Sequence, residues 1–182
     1  MRETALRGKI WVLLDKTGKL IEDIDTDQIF HNAHLHITDI SEMGPYAFGN
    51  LEGWKDFSTK CGEGDIVVAG RNFGAGSSRQ QAVDCLIALK VGAVIAPSFS
   101  AIYFRNAVNS GFPVLRIINL EAMVTSGKLK TGDLVEMDVK SGQGTNLAQK
   151  LPLRAEPMSA VQVEIYMAGN VFEYGKILDT KF

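Results

Sequence analysis

Cysteine is scarce: 182 residues contain two, Cys61 and Cys85, 24 positions apart and in no CxxC pair. Two thiols cannot supply the four thiolates of a typical iron–sulfur cluster or structural zinc site, so no metal is expected on this chain. Both read as free thiols of a reducing compartment, Cys85 on a helix face and Cys61 in a loop. Excess charge of either sign is also missing, since 19 basic and 21 acidic residues leave a net charge of -2. No basic patch points to nucleic acid, no block of like charge forms an interaction tail, and the aromatics do not interleave with basic residues. Apolar runs such as "DIVVAG" and "GAVIAP" fall far short of the ~20 residues that span a bilayer. "MRETALRGKIWVLLDK" meets an acid and a lysine too soon for a signal peptide, so a cytoplasmic protein without a membrane partner is expected.

What is present suits one globular domain over 1–182, with 46% apolar and 22% charged residues. "GKIWVLL" reads as a strand closed by the turn "DKTGK". From Ile21 to Lys60 the periodicity is weak, apart from a short helix expected near Ile40 to Ala47. So long an irregular stretch inside a compact domain points to a functional loop. "DIVVA" then reads as a buried strand, "SRQQAVDCLIALKVG" as a helix stopping at Gly92, and "AVIAP" as a strand. "SAIYFRNAVNSG" reads as a helix and "FPVLRI" as a strand. That alternation from 65 to 118 argues for an α/β unit with parallel strands. "GDLVEMDVKSGQGTNLAQKLPLRAE" reads as strands joined by glycine turns, and "SAVQVEIYMAG" as a last short helix.

Chemistry concentrates in "GRNFGAGSSRQQAV", Gly70 to Val83. No lysine follows the glycines, so it is not a Walker A loop. Arg79 stands where a dinucleotide fingerprint needs its third glycine. The string G-S-S-R-Q from Gly76 lacks the closing glycine of a nucleophile elbow. What remains is a tight turn at Gly74 and Gly76, with Ser77 and Ser78 expected at the cap of the next helix and Arg79 offering a planar fork to an anion. On pattern alone two readings stand side by side. One is an anion site with a hydroxyl in it; the other is a capping serine, a loop serine and a surface arginine. The histidines at 31, 34 and 36 have no Cys or acid at ligand spacing, so that loop is read as solvated or substrate-facing.

The strings "DIDTDQI", "GRNFGAGSSRQQA" and "AVIAPSFSAIYFRNAVNSGFPVL" together resemble the small, swivelling subunit of the aconitase superfamily. The similarity is greatest to the 3-isopropylmalate dehydratase group and its homoaconitase relatives, and covers roughly Gly8 to Met167. That resemblance implies an α/β fold of three β/β/α layers that swivels against a large subunit carrying a [4Fe-4S] cluster, with no cofactor bound by this chain. It implies a hydro-lyase that isomerises a 2-/3-hydroxy di- or tricarboxylate by dehydration and rehydration, as in leucine biosynthesis, and that is active only with its partner. It also implies Ser77 as general base, and Ser78, Arg79 and Asp27 as substrate-binding residues on a loop supported by Gly74 and Gly76. His36 stands at the position that selects substrate, within a specificity loop around 28–60. Expected partners are the large subunit, in a heterodimer or heterotetramer, the hydroxyacid substrate, and a second copy when the chain is isolated.

The chain departs from the family at Ala75, where cysteine or threonine is common, and at Gln80, where glutamate is usual. "HLHI" replaces the usual tyrosine-leucine, with His34 in the tyrosine's place. Histidine changes charge near neutral pH, so His36 suits an apolar pocket when neutral and a third carboxylate when charged. The substrate therefore stays open between the isopropylmalate, homoaconitase, dimethylmalate and citrate types. A non-catalytic anion-binding subunit stands beside them.

Overall fold

Four short strands with apolar side chains on both faces make the parallel half of a seven-stranded sheet. They are β1 (Ala5–Val12), β2 (Ile66–Val68), β3 (Ala93–Ala96) and β4 (Val114–Arg116). The sheet continues through β5 (Leu134–Asp138), β6 (Gln143–Asn146) and β7 (Leu151–Arg154) in the order β4-β3-β2-β1-β5-β6-β7. The computed structural model describes residues 2–180; the outermost positions of the expected 1–182 unit lie outside the described residues.

β1 joins the two halves by changing partner along its length. Ala5 to Lys9 pair antiparallel with β5, and Ile10 to Val12 pair parallel with β2. This is why the strand begins before the expected "GKIWVLL": the first residues are extended only because β5, more than 120 positions away, pairs with them.

Side chains of the parallel strands alternate between two cores. Leu13, Val67, Val94, Ala96 and Val114 face one core, shared with the helices α3 (Gln81–Ala88) and α4 (Ala101–Asn109) that link the strands. Ile10, Val12, Ile66, Val68, Ala93, Ile95 and Leu115 face the other. That side is covered by Val135 and Met137 of β5, Leu153 of β7, Leu120 of α5 (Leu120–Thr125) and Tyr166 of α6 (Ala160–Ala168). The antiparallel strands therefore curl over the parallel sheet, giving the layers β, β and α.

The weakly periodic stretch 21–60 lies on the helical side, between β1 and β2. It holds α1 (Thr26–Ile29), three single 3-10 turns and α2 (Phe57–Lys60). It contributes nine buried apolar residues to the first core: Ile24, Ile29, Phe30, Ile37, Met43, Ala47, Phe48, Leu51 and Phe57. Burying each of the larger ones contributes about 1.5–3 kcal/mol, so this irregular segment is a packed layer of the fold. The helix expected over Ile40 to Ala47 is two 3-10 turns, Ile40–Glu42 and Gly44–Tyr46. Pro45 has no N–H to continue an α-helical ladder, and Gly44 lowers helix propensity.

Four helices lie outside the expected set: the short α1 and α2, and α5 and α7 (Val171–Asp179). Gly169, at φ 108°, stops α6, and the Asn170 side chain accepts from Phe172 and Glu173 N–H to start α7 at once. Among the described residues no helix is long and apolar enough to cross a membrane.

Candidate functional site

The C-terminal ends of β1, β2 and β3 open into three segments that hydrogen-bond side by side. Gly70 N–H donates to Ile21 O, Gly74 and Ala75 N–H to Ile24 O, and Thr26 N–H to Ala75 O, all at 2.8–3.1 Å. On the other side Phe73 N–H donates to Ser98 O at 3.1 Å, and Phe73 O accepts from Ser100 N–H at 3.0 Å, while the Ser100 hydroxyl donates to Gly74 O. The Phe73 ring is buried among Phe48, Phe99 and Tyr103. The glycine loop is thus held from both flanks and from below. Gly74 is obligatory there: its φ is +78°, and a Cβ would lie 2.2 Å from the Tyr103 ring.

The two aspartates of "DIDTD" divide the labour at α1. Asp25 caps the helix, its Oδ1 accepting from Asp27 and Gln28 N–H at 2.8 Å while Gln28 Oε1 accepts from Asp25 N–H in return. Asp27 turns outward instead. Its Oδ1 accepts from Arg79 Nη1 at 2.9 Å and Asn32 N–H at 3.0 Å, and its Oδ2 from Asn50 Nδ2 at 2.9 Å. Partial burial alone would raise the Asp27 carboxyl. The Arg79 donor, the Asn32 N–H and the nearby His31 and Arg79 charges outweigh that and hold it below its ordinary value.

Arg79 is thereby fixed, its side chain only 11% exposed. Besides Asp27 it donates from Nη1 to Phe30 O at 2.8 Å and from Nη2 to Asn32 Oδ1 at 2.7 Å. A guanidinium carries five N–H donors. Nε–H and one N–H of Nη2 have no partner among the described residues, which leaves donors free for a carboxylate. The structure therefore brings Asp27 and Arg79 together as an ion pair.

Ser77 and Ser78 are exposed beside Arg79. They do not cap α3, contrary to expectation: the helix starts at Gln81, Gln80 holds the N-cap position, and no side chain caps it. The only hydrogen-bond partner of the Ser77 hydroxyl among the described residues is the Thr26 hydroxyl at 3.3 Å, and Thr26 Oγ1 also donates to Ser77 O at 3.2 Å. The site thus offers two exposed hydroxyls next to a preorganised cation, Ser77 paired with Thr26 and Ser78 without a partner among the described residues.

The three histidines differ in their surroundings. His31 Nδ1 accepts from Ala33 N–H at 3.2 Å, and its Nε2 lies 3.9 Å from Asp27 Oδ2. His34 stacks on Tyr46 with ring centroids 4.0 Å apart. His36 is exposed, with no side-chain partner among the described residues. Asn32, Asn50 and Thr26 escape sequence reasoning, because hydrogen bonds to Asp27, Arg79 and Ser77 across the fold leave no local pattern. Gln28, three positions after Asp25, is the legible signal of the capping box.

The chain's own donors do not fit an iron–sulfur cluster. Burial pushes the Cys61 thiol up to about 12 and raises that of Cys85, a residue of α3 whose thiol faces Ile29 O. Among the described residues no group of three His, Cys, Asp or Glu side chains is placed to hold a metal ion.

The aconitase C-terminal domain family matches residues 21–119, the segment that builds the site. A 3-isopropylmalate dehydratase small subunit from Caldicellulosiruptor saccharolyticus is 38% identical over 88% of this chain and 89% of its own length. A methanogen homoaconitase small subunit from Methanothermobacter thermautotrophicus is 35% identical over 98% of this chain and 95% of its own. The crystal structure of a 3-isopropylmalate dehydratase from Methanocaldococcus jannaschii superposes with a TM-score of 0.81 at 30% identity, covering 97% of this chain and 98% of the other. Three separate strings, the β/β/α layering and these likenesses agree: the chain belongs to the aconitase C-terminal domain family, among relatives named as small subunits of 3-isopropylmalate dehydratase and methanogen homoaconitase.

Proposed function

We propose that the chain is the small subunit of a cytoplasmic hydro-lyase that moves a hydroxyl between adjacent carbons of a hydroxy di- or tricarboxylate, 3-isopropylmalate dehydratase of leucine biosynthesis being the preferred assignment. The observation that carries this reading is Arg79, held by Asp27, Asn32 and Phe30 O with donors left over, beside the exposed hydroxyls of Ser77 and Ser78. In this reading the free edge of Arg79 and the Ser78 hydroxyl hold a substrate carboxylate. Ser77 takes the proton from the carbon next to the one that loses its hydroxyl. A serine hydroxyl does this near neutral pH only where donors and positive charge stabilise its unprotonated form in a site closed to water. Arg79 supplies charge from this chain, and the large subunit supplies closure. The partner's [4Fe-4S] cluster would supply Lewis-acid chemistry at the departing hydroxyl.

Co-expression with the candidate large subunit, followed by a panel of 3-isopropylmalate, homocitrate, citrate and methylated malates, tests the assignment. Ser77→Ala is expected to lower kcat about 10²–10⁴-fold with an unchanged melting temperature, since the side chain is exposed. Near-wild-type turnover would sink the base. A chain that captures no large subunit would instead be a non-catalytic anion-binding module.

Homoaconitase is the second reading, favoured by the exposed, unpartnered His36, which in its charged form suits a third carboxylate. His36→Arg should shift preference toward homocitrate, and His36→Val toward 3-isopropylmalate. An unchanged ranking in the panel would remove His36 from substrate selection.

A further inference from the structure

Gln80 follows Arg79 directly, yet its side chain makes no hydrogen bond to Arg79 among the described residues. It turns along α3: Nε2 donates to Asp84 Oδ1 at 2.9 Å and to Ser110 Oγ, just past the end of α4, also at 2.9 Å. Asp84 is only 8% exposed, and burial pushes its carboxyl upward against the opposing Gln80 donor. The titratable groups facing Asp84 are the Cys85 thiol on its own helix and, from α4, the Tyr103 phenol, both raised by burial. The Tyr103 hydroxyl has no hydrogen-bond partner among the described residues, so it gives the Asp84 carboxyl no support.

Glutamate in place of Gln80 would set two carboxylates at hydrogen-bond distance, both acceptors when ionised. Gln80 and Asp84 are therefore a matched pair, an amide donor against a carboxylate acceptor four positions on. The bridge stands where α3 has no side-chain cap, directly after three residues without regular structure.

We infer that Gln80 is a positioning residue for Ser77, Ser78 and Arg79: by bridging Asp84 on α3 and Ser110 at the end of α4, its amide fixes where α3 begins and, through the backbone, where Arg79 and the two hydroxyls stand. This rests on the reading of that segment as the substrate site.

The test compares Gln80→Glu with the double variant that combines Gln80→Glu and Asp84→Asn, each reconstituted with the large subunit. Gln80→Glu should lower kcat/KM about ten- to a hundredfold at mildly alkaline pH, the loss shrinking toward acid pH as the two carboxyls share a proton. In the double variant the carboxylate and the amide exchange places. The carboxylate at position 80 then accepts from the amide at position 84 and from the Ser110 hydroxyl, which should return kcat/KM to within about threefold of wild type. A pH profile unchanged by Gln80→Glu, or a double variant that restores nothing, overturns the inference. Should the wild-type enzyme turn over no hydroxyacid, the proposed function fails, and hydrogen exchange at the amides of positions 77 to 80 in this chain decides the positioning role by itself. Exchange faster in Gln80→Glu and normal in the double variant supports it; identical exchange in all three proteins overturns it.

Discussion

The two ends of the parallel strands are built from the same residue types and put them to opposite uses. At the N-terminal ends, Gly64 N–H donates to Lys90 O and Gly92 N–H to Asp65 O, both at 2.8 Å. The buried Asp65 carboxylate accepts from Trp11 Nε1 and Gly62 N–H, again at 2.8 Å. A groove of about 460 Å³ lies here, where Arg2 donates to Gly111 O and lies over the Tyr166 ring, and Lys90 pairs with Glu63. At the C-terminal ends, Arg79 keeps unpaired donors and two serine hydroxyls stand exposed. One end ties its buried carboxylate and backbone groups into the fold; the other holds a cation still through three hydrogen bonds and leaves part of it unsatisfied. Unused hydrogen-bonding capacity on a fixed frame distinguishes a candidate site from a joint, and it agrees with the general tendency of open α/β sheets to bind ligands at the carboxyl ends of their strands.

Gly8→Ala should break the N-terminal joint with the largest effect. A Cβ at Gly8 would lie 2.0 Å from Gly64 O, where backbone rather than a flexible side chain must yield. A stability loss of about 3 kcal/mol is expected from such overpacking, read from the denaturant midpoint. A midpoint near wild type would mean that this end holds slack the geometry does not show.

Arg79→Lys probes the other end. Lysine keeps the charge but loses the fork, so kcat/KM in the reconstituted enzyme should fall by about 1.5–3 kcal/mol of transition-state stabilisation. Its midpoint should move less than that of Gly8→Ala. A variant that fails to fold would make Arg79 a structural clamp and erase the contrast between the ends.

Asp27→Asn carries the smallest effect. The Asp27 carboxyl is held below its ordinary value in the folded chain, so its stabilisation is present above the unfolded pKa and is lost as pH falls through the folded one. With the side chain 31% exposed, the advantage of wild type over the variant should stay below about 1 kcal/mol near neutral pH; it should begin to shrink near about pH 4 and vanish only below the lowered folded pKa. A difference that does not change with pH would assign the effect to contacts rather than charge.

Much of the candidate site was legible because its parts are local. The glycines, Ser77, Ser78 and Arg79 are contiguous, and Asp27 lies in a short quoted string. The serines do not take the cap position expected of them, because α3 starts only at Gln81 and nothing local in the string marks that start. Asn50 left no signal because its partner is 23 residues distant. In the fold, the strand–helix alternation from 65 to 118 followed from periodicity. The role of 21–60 as a packed layer did not, because its nine buried apolar residues follow no single period.

Local chemistry alone determined the parallel α/β unit, the tight glycine turn, the fork of Arg79 and the shortage of thiols. Each depends on backbone preference or on residue type, which neighbours in sequence express. Only the tertiary structure decided that Arg79 meets Asp27, that Gln80 turns to Asp84 and Ser110 rather than to Arg79, that β1 changes partner midway, and that the antiparallel strands close over the sheet. Those outcomes depend on which surfaces and polar groups are left to satisfy once distant segments pack, and no window along the chain contains that information.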